Sequence, residues 1–141
     1  MSEDKRSGRC LCGAVKYEAV LAAPHLHACH CNICQKWGGG PSLSLFCAGD
    51  WTIAGEENLT WYDSSDWAQR GFCKKCGTHL FGRVPDGDYR GVHVGSLDDT
   101  SGLTLDKHIF IDKKPDYYDF SGDAKRLTEE EFYAQFAEGE E

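Results

Sequence analysis

The segment 29-CHCNIC-34 places Cys29, Cys31 and Cys34 within six residues, with His30 between the first two. Two further groups flank it along the chain, Cys10-Leu11-Cys12-Gly13 and Cys73-Lys74-Lys75-Cys76-Gly77. Each outer pair sets two thiols on one tight turn followed by glycine. Glycine accepts the positive φ that such a turn needs, which lets backbone N–H groups point at the sulfurs. Thiolates are soft ligands, and two such knuckles match the closed tetrahedral sphere of a structural zinc ion. The trio at 29–34 can also hold zinc, but it leaves one of the ion's four positions to water or substrate, as catalytic sites do. The competing reading closes that position with a protein ligand: Cys47, His27, His30, His79 or His93. Chain alternation turns His30 away from its two neighbours, so Cys47 is the main competitor; it also reads as a small buried residue of a strand. Spacing by itself neither pairs the knuckles nor excludes closure.

The chain has eight cysteines in 141 residues, and seven of them fall in these tight groups. Disulfide scaffolds spread their cysteines through short secreted chains, and thiols one residue apart rarely bridge each other, so metal binding is the expectation. The segment MSEDKRSGRC is charged and has no apolar leader, and no run of about 18 apolar residues occurs. A cytoplasmic protein that does not span a membrane is expected. The formal net charge of −8 argues against nucleic acid, whose phosphates need a basic face. The acidic runs 129-EEE-131 and 138-EGEE-141 read as solvated surface.

The elements that must position the cysteines read as short strands. In 13-GAVKYEAV-20, Val15, Tyr17 and Ala19 alternate with Lys16 and Glu18, the pattern of a half-buried strand. Further strand-like runs are 42–49, 51–55, 59–64, 69–73, 78–84, 90–97 and 107–111. They are rich in β-branched and aromatic residues and are separated by Gly, Asp, Asn and Pro. Such a series predicts a mainly β protein of antiparallel sheets in a sandwich or distorted barrel, with one domain over 1–141 and its core at about 7–120. A single helix is predicted near 128–138. Thr128 and Glu131 have capping-box spacing, Phe132 and Phe136 share a face that packs on the sheet, and Gly139 ends the helix.

The series 9-RCLCGAVKYEA-19, 29-CHCNICQKWGG-39, 70-RGFCKKCGTHLF-81 and 93-HVGSLDD-99 resembles the glutathione-dependent formaldehyde-activating enzyme family, which includes the centromere protein V relatives. The resemblance runs from about residue 7 to residue 120. It implies an Mss4-like fold and a structural zinc on Cys10, Cys12, Cys73 and Cys76. It also implies a second zinc, more easily lost, on Cys29, Cys31 and Cys34, which would be the catalytic residues. The implied activity is that of a carbon–sulfur lyase, condensing glutathione with formaldehyde to S-(hydroxymethyl)glutathione. Where relatives often carry tryptophan after the proline of 112-DKKPDYYDF-120, this chain has Tyr117 and Tyr118.

On that reading a zinc-held thiol is deprotonated near neutral pH and serves as nucleophile or leaving group. Lys36, Arg70, Lys74 and Lys75 stand beside the cysteine groups and could offset the charge of glutathione, or could simply balance thiolate–zinc centres. Trp37 with 38-GGG-40 reads as an aromatic lip or as core, and His79 and His93 as proton carriers or structural residues. Two readings of other classes stay open: a zinc-stabilised binding scaffold without chemistry, and a thiol redox protein.

Overall fold

The computed structural model describes residues 3–137. In chain order the strands are β1 (Asp4–Arg9), β2 (Lys16–Leu21), β3 (His25–Cys29), β4 (Ser42–Phe46), β5 (Thr52–Ala54), β6 (Leu59–Asp63), β7 (Gln69–Cys73), β8 (His79–Arg83), β9 (Arg90–His93), β10 (Thr104–Ile109) and β11 (Lys125–Arg126). Helix α1 (Asn32–Gly38) follows β3, and α2 (Glu129–Ala137) follows β11. The protein is mainly β, as expected. Its contacts gather into two compact units, one of Met1–Pro24 with Ser44–Leu103 and the other of His25–Leu43 with Thr104–Glu141.

In the first unit β2 lies between β1 and β5 in one antiparallel ladder. The alternation read from the sequence is visible in burial: Val15, Tyr17, Ala19 and Leu21 face inward. Opposite them, β1 is a strand built from polar residues. Its Arg6 is held by Asp4 Oδ1 at 2.9 Å and the Asp99 carbonyl at 3.0 Å, and Gly8 stands across from Tyr17. A second antiparallel ladder runs β9, β8, β7, β6, with Ser44–Phe46 of β4 paired to β9. Leu45, Leu80, Phe81 and Val92 from this ladder are fully buried. Phe81 meets Tyr17 edge-on at 5.0 Å and Trp51 at 4.6 Å. Fully burying a side chain of this size contributes about 1.5–3 kcal/mol.

The second unit departs from the expectation of purely antiparallel sheets, because β10 runs parallel to both β3 and β11. Strand direction depends on long connections, and no local pattern records it. The ladders are also open, with β1, β5 and β6 at edges, so they do not close into a barrel. A further correction concerns helix number: the sequence predicts one helix, near 128–138, and the structure has a second. Residues Asn32–Gly38 form α1, whose N-cap is Cys31 and whose C-cap Gly39 is left-handed.

At α2 both halves of the capping box are made: Glu131 N–H donates to Thr128 Oγ1 at 3.1 Å, and Thr128 N–H donates to Glu131 Oε1 at 2.9 Å. Phe132 and Phe136 share a face, with ring centres 5.1 Å apart. Phe132 packs against the buried group of Cys29, Cys34, Ile109 and Leu127, whereas Phe136 stays half exposed, so only the first of the pair packs as expected. Gly139 and the run 138–141 lie outside the described residues. Among the described residues no helix is long and apolar enough to cross a membrane.

Candidate metal centres

The outer knuckles converge. Cys10, Cys12, Cys73 and Cys76 place their sulfurs within 4.8 Å of one another. Cys10 Sγ lies 3.7 Å from Cys12 Sγ, and Cys12 Sγ lies 3.8 Å from Cys73 Sγ. A tetrahedron of Zn–S bonds near 2.3 Å has an edge of about 3.8 Å, so this spacing fits a zinc ion.

Each turn is built in the same way. Cys10 N–H donates to the Val15 carbonyl, and Gly13 N–H returns to the Cys10 carbonyl; Cys73 N–H donates to the Thr78 carbonyl, and Gly77 N–H returns to the Cys73 carbonyl. Gly13 and Gly77 have φ of 83° and 80°, the left-handed conformation for which glycine is the least strained residue. The turns aim N–H groups at sulfur, Val15 N–H at Cys10 (3.3 Å) and Lys75 N–H at Cys73 (3.4 Å). Thr78 Oγ1 accepts from Leu11 N–H and lies 3.1 Å from Cys76 Sγ, which ties one knuckle to the other.

The four thiols share protons unevenly. Hydrogen bonds from the Thr78 hydroxyl first, then from backbone N–H groups, lower Cys76 to about 5. Burial opposes ionisation of Cys10, and Cys76 acts in the same sense, but the Val15 N–H and the Cys73 and Cys12 thiols bring it below the usual thiol value. Cys12 receives a favourable backbone bond from Ala14, yet burial and the other three thiols push it up to about 11. Four sulfurs so arranged cannot all ionise together without a cation among them.

The second cluster belongs to the other unit. Cys29 comes from the end of β3, Cys31 caps α1, and Cys34 lies in its first turn, all three sulfurs within 4.8 Å. Cys34 N–H donates to Cys31 Sγ at 3.3 Å, and Ser42 Oγ lies 3.4 Å from Cys34 Sγ. The Cys31 and Cys34 thiols, with burial, drive Cys29 far above the usual thiol pKa. Cys29 favours the Cys31 thiolate, but Cys34 and burial leave Cys31 raised as well. A site that resists ionisation so strongly takes a metal by releasing protons to solvent.

No histidine, carboxylate or further cysteine among the described residues joins these three sulfurs. His30 is turned away and fully buried: Nδ1 lies 2.9 Å from Tyr118 Oη and Nε2 lies 3.0 Å from His108 Nδ1. Cys47 is buried in the first unit, bridging to Leu21, and its pKa is raised to about 11 by burial. His79 and His93 also lie in the first unit, with rings 6.0 Å apart, together with Arg70, Lys74 and Lys75. Lys36 and Trp37 are on α1.

The model of the glutathione-dependent formaldehyde-activating enzyme family matches residues 5–113, a span that contains all seven clustered cysteines. The chain belongs to this family. An uncharacterized lyase of Schizosaccharomyces pombe is 34% identical over 125 residues, covering 88% of this chain and 91% of that protein. A Penicillium rubens relative named after the glutathione-dependent formaldehyde-activating enzyme is 37% identical over 107 residues, 67% of this chain and 53% of its own length. The chain thus spans about half of that longer relative. A crystal structure of a Rhodobacter sphaeroides protein superposes with a TM-score of 0.58 at 27% identity, covering 70% of this chain and 98% of that one. The cysteine groups of this chain are readable in its sequence. The polar residues around them in this chain are less so: Thr78 follows its knuckle directly, but Tyr118 and His108 lie 88 and 78 residues from His30.

Proposed function

We propose that the chain is a zinc-dependent enzyme of the carbon–sulfur lyase type that joins a small thiol, glutathione, to formaldehyde, and runs the reverse cleavage. The observation that carries this reading is the three-cysteine cluster, which offers three protein sulfurs to an ion that takes four ligands. The four-cysteine cluster has a full set of ligands and acts as a structural centre. Bound at the three-sulfur site, zinc supplies a position where a thiol is held as thiolate near neutral pH.

The chain's own residues build that site. Cys29, Cys31 and Cys34 are its ligands, and Ser42 is placed to donate to Cys34. Phe110 and Phe132 pack beside the sulfurs and keep water from that side, which strengthens the electrostatic interactions within. In the forward direction a carbon–sulfur bond forms between the glutathione sulfur and the formaldehyde carbon, and the carbonyl oxygen takes up a proton. In reverse the hydroxyl proton leaves as that bond breaks. A cytoplasmic location belongs to this reading, because clustered thiols that serve as metal ligands persist in a reducing compartment.

The test is acceleration of the exchange between glutathione, formaldehyde and S-(hydroxymethyl)glutathione, followed by NMR at equilibrium. The zinc-loaded chain should raise the exchange rate above the uncatalysed one, and the Cys34→Ser variant should not. Equal exchange with and without the protein would leave a zinc-stabilised scaffold as the reading.

A further inference from the structure

Beside the three-cysteine cluster lies a polar chain that the reaction as proposed does not use, its two histidines buried and its Gln35 and Tyr118 half-buried. Its donors can be ordered. Gln35 Nε2 lies 3.4 Å from the His30 carbonyl oxygen, which only accepts, so the amide nitrogen faces that way. The same nitrogen donates to Tyr118 Oη at 2.7 Å. The Tyr118 hydroxyl proton is then directed to His30 Nδ1, 2.9 Å away. His30 must therefore carry its proton on Nε2, which donates to His108 Nδ1 at 3.0 Å. The rings pack together around this chain: His30 stacks on Tyr118 at 5.7 Å and 22°, and Phe120 stands edge-on to both histidines. Lys114 Nζ donates to the Tyr118 and Pro115 carbonyls and so fixes the segment that carries the tyrosine.

The consequence is mechanical. His30 lies between Cys29 and Cys31, so holding its ring on one side holds the Cβ directions of both neighbours on the other. Gln35 directly follows Cys34 on α1. One hydroxyl oxygen thus joins the connection from β3 to α1, residues 29–31 with two of the sulfurs, to the helix turn that carries the third. We infer that Tyr118 is a positioning residue of the three-cysteine centre, acting through His30 and Gln35 to hold the three sulfurs as a preset tripod that retains zinc while its remaining ligand is exchanged. This inference rests on the two-centre reading above. Direct hydrogen-bond partners of metal ligands typically set metal affinity by about 10- to 100-fold, and Tyr118, one residue further from the sulfurs, belongs at the lower end of that range.

The experiment uses the full chain loaded with zinc and follows release of the metal to a chromophoric chelator. The wild type should release its ions in a fast phase from the three-cysteine centre and a slow phase from the four-cysteine centre. Tyr118→Phe keeps the ring and removes only the hydroxyl; it should accelerate the fast phase about 10-fold and leave the slow phase and the melting temperature unchanged. Gln35→Met removes the other donor and should act in the same direction. Tautomers read from ¹⁵N shifts should show His30 protonated on Nε2 in the wild type and should change in Tyr118→Phe. Unchanged release in both variants would overturn the positioning role and leave the two centres standing. Acceleration of both phases together with a lowered melt would reduce Tyr118 to a structural residue and also overturn it. A wild type that binds zinc only at the four-cysteine centre would overturn the two-centre reading, and this inference with it.

Discussion

Cys12 and Cys73 are 61 residues apart in the chain, and their sulfurs lie 3.8 Å apart. The ion that fits between them would clamp the first unit as a disulfide clamps a loop, but with four bonds on two turns. A structural zinc of this kind contributes folding energy directly. Cys10→Ser should therefore abolish the cooperative thermal transition seen by circular dichroism, as should prolonged treatment of the wild type with a strong chelator. A wild-type melt in Cys10→Ser would show that the four-cysteine cluster is not a structural centre.

Tyr17 supplies a prediction at alkaline pH. Its hydroxyl donates to Ser96 Oγ at 2.5 Å, because the Ser96 proton is already given to the His93 carbonyl. Burial raises its pKa to about 12, against the partly compensating Ser96 bond. The unfolded chain ionises its tyrosines near pH 10, so this contribution is complete below about pH 10 and is lost as pH rises towards 12. A shift of this size corresponds to a few kcal/mol, on the order of 1.4 per pH unit. Urea melts between pH 9 and 11 should show stability falling faster in the wild type than in Tyr17→Phe. Cys47, raised to about 11 by burial, contributes in the same direction in both proteins, and its charge also raises Tyr17, so the difference reads Tyr17 together with its coupling to Cys47. Parallel curves would rule out the tyrosine as the source.

The capping box at α2 should be measurable as a coupled pair. Thr128→Ala should cost about 1 kcal/mol of local helix stability, read from amide hydrogen exchange in the helix. Glu131→Ala should cost less in the Thr128→Ala background than alone, since each side chain closes the other's orphan N–H. Additive losses would mean the two bonds act separately.

Much of this was legible from local spacing. The alternation of Val15, Tyr17 and Ala19 and the Thr128–Glu131 box are short-range features, and each appears as read. The three cysteine groups were legible because knuckle ligands sit within a few residues of each other. Helix α1 was not, since its seven residues bury only Cys34 and show no helical stripe. β1 was missed because DKRSGR holds no β-branched or aromatic residue; its pairing with β2 and the Arg6 contacts make it a strand. In β3 four of five residues are buried, which erases the alternation a half-exposed strand displays. The Tyr118–His30–His108 chain joins residues that only the folded backbone brings together.

In the proposed function Cys29, Cys31 and Cys34 hold a metal that accepts an incoming thiol. This role is tested most directly by titrating glutathione calorimetrically into the zinc-loaded wild type and into a Cys34→Ser variant that retains zinc on its four-cysteine centre. The wild type should bind saturably, the variant should not bind, and the two should share one melting temperature. Equal affinity in the two proteins, or no binding by a wild type with both centres filled, would contradict that role.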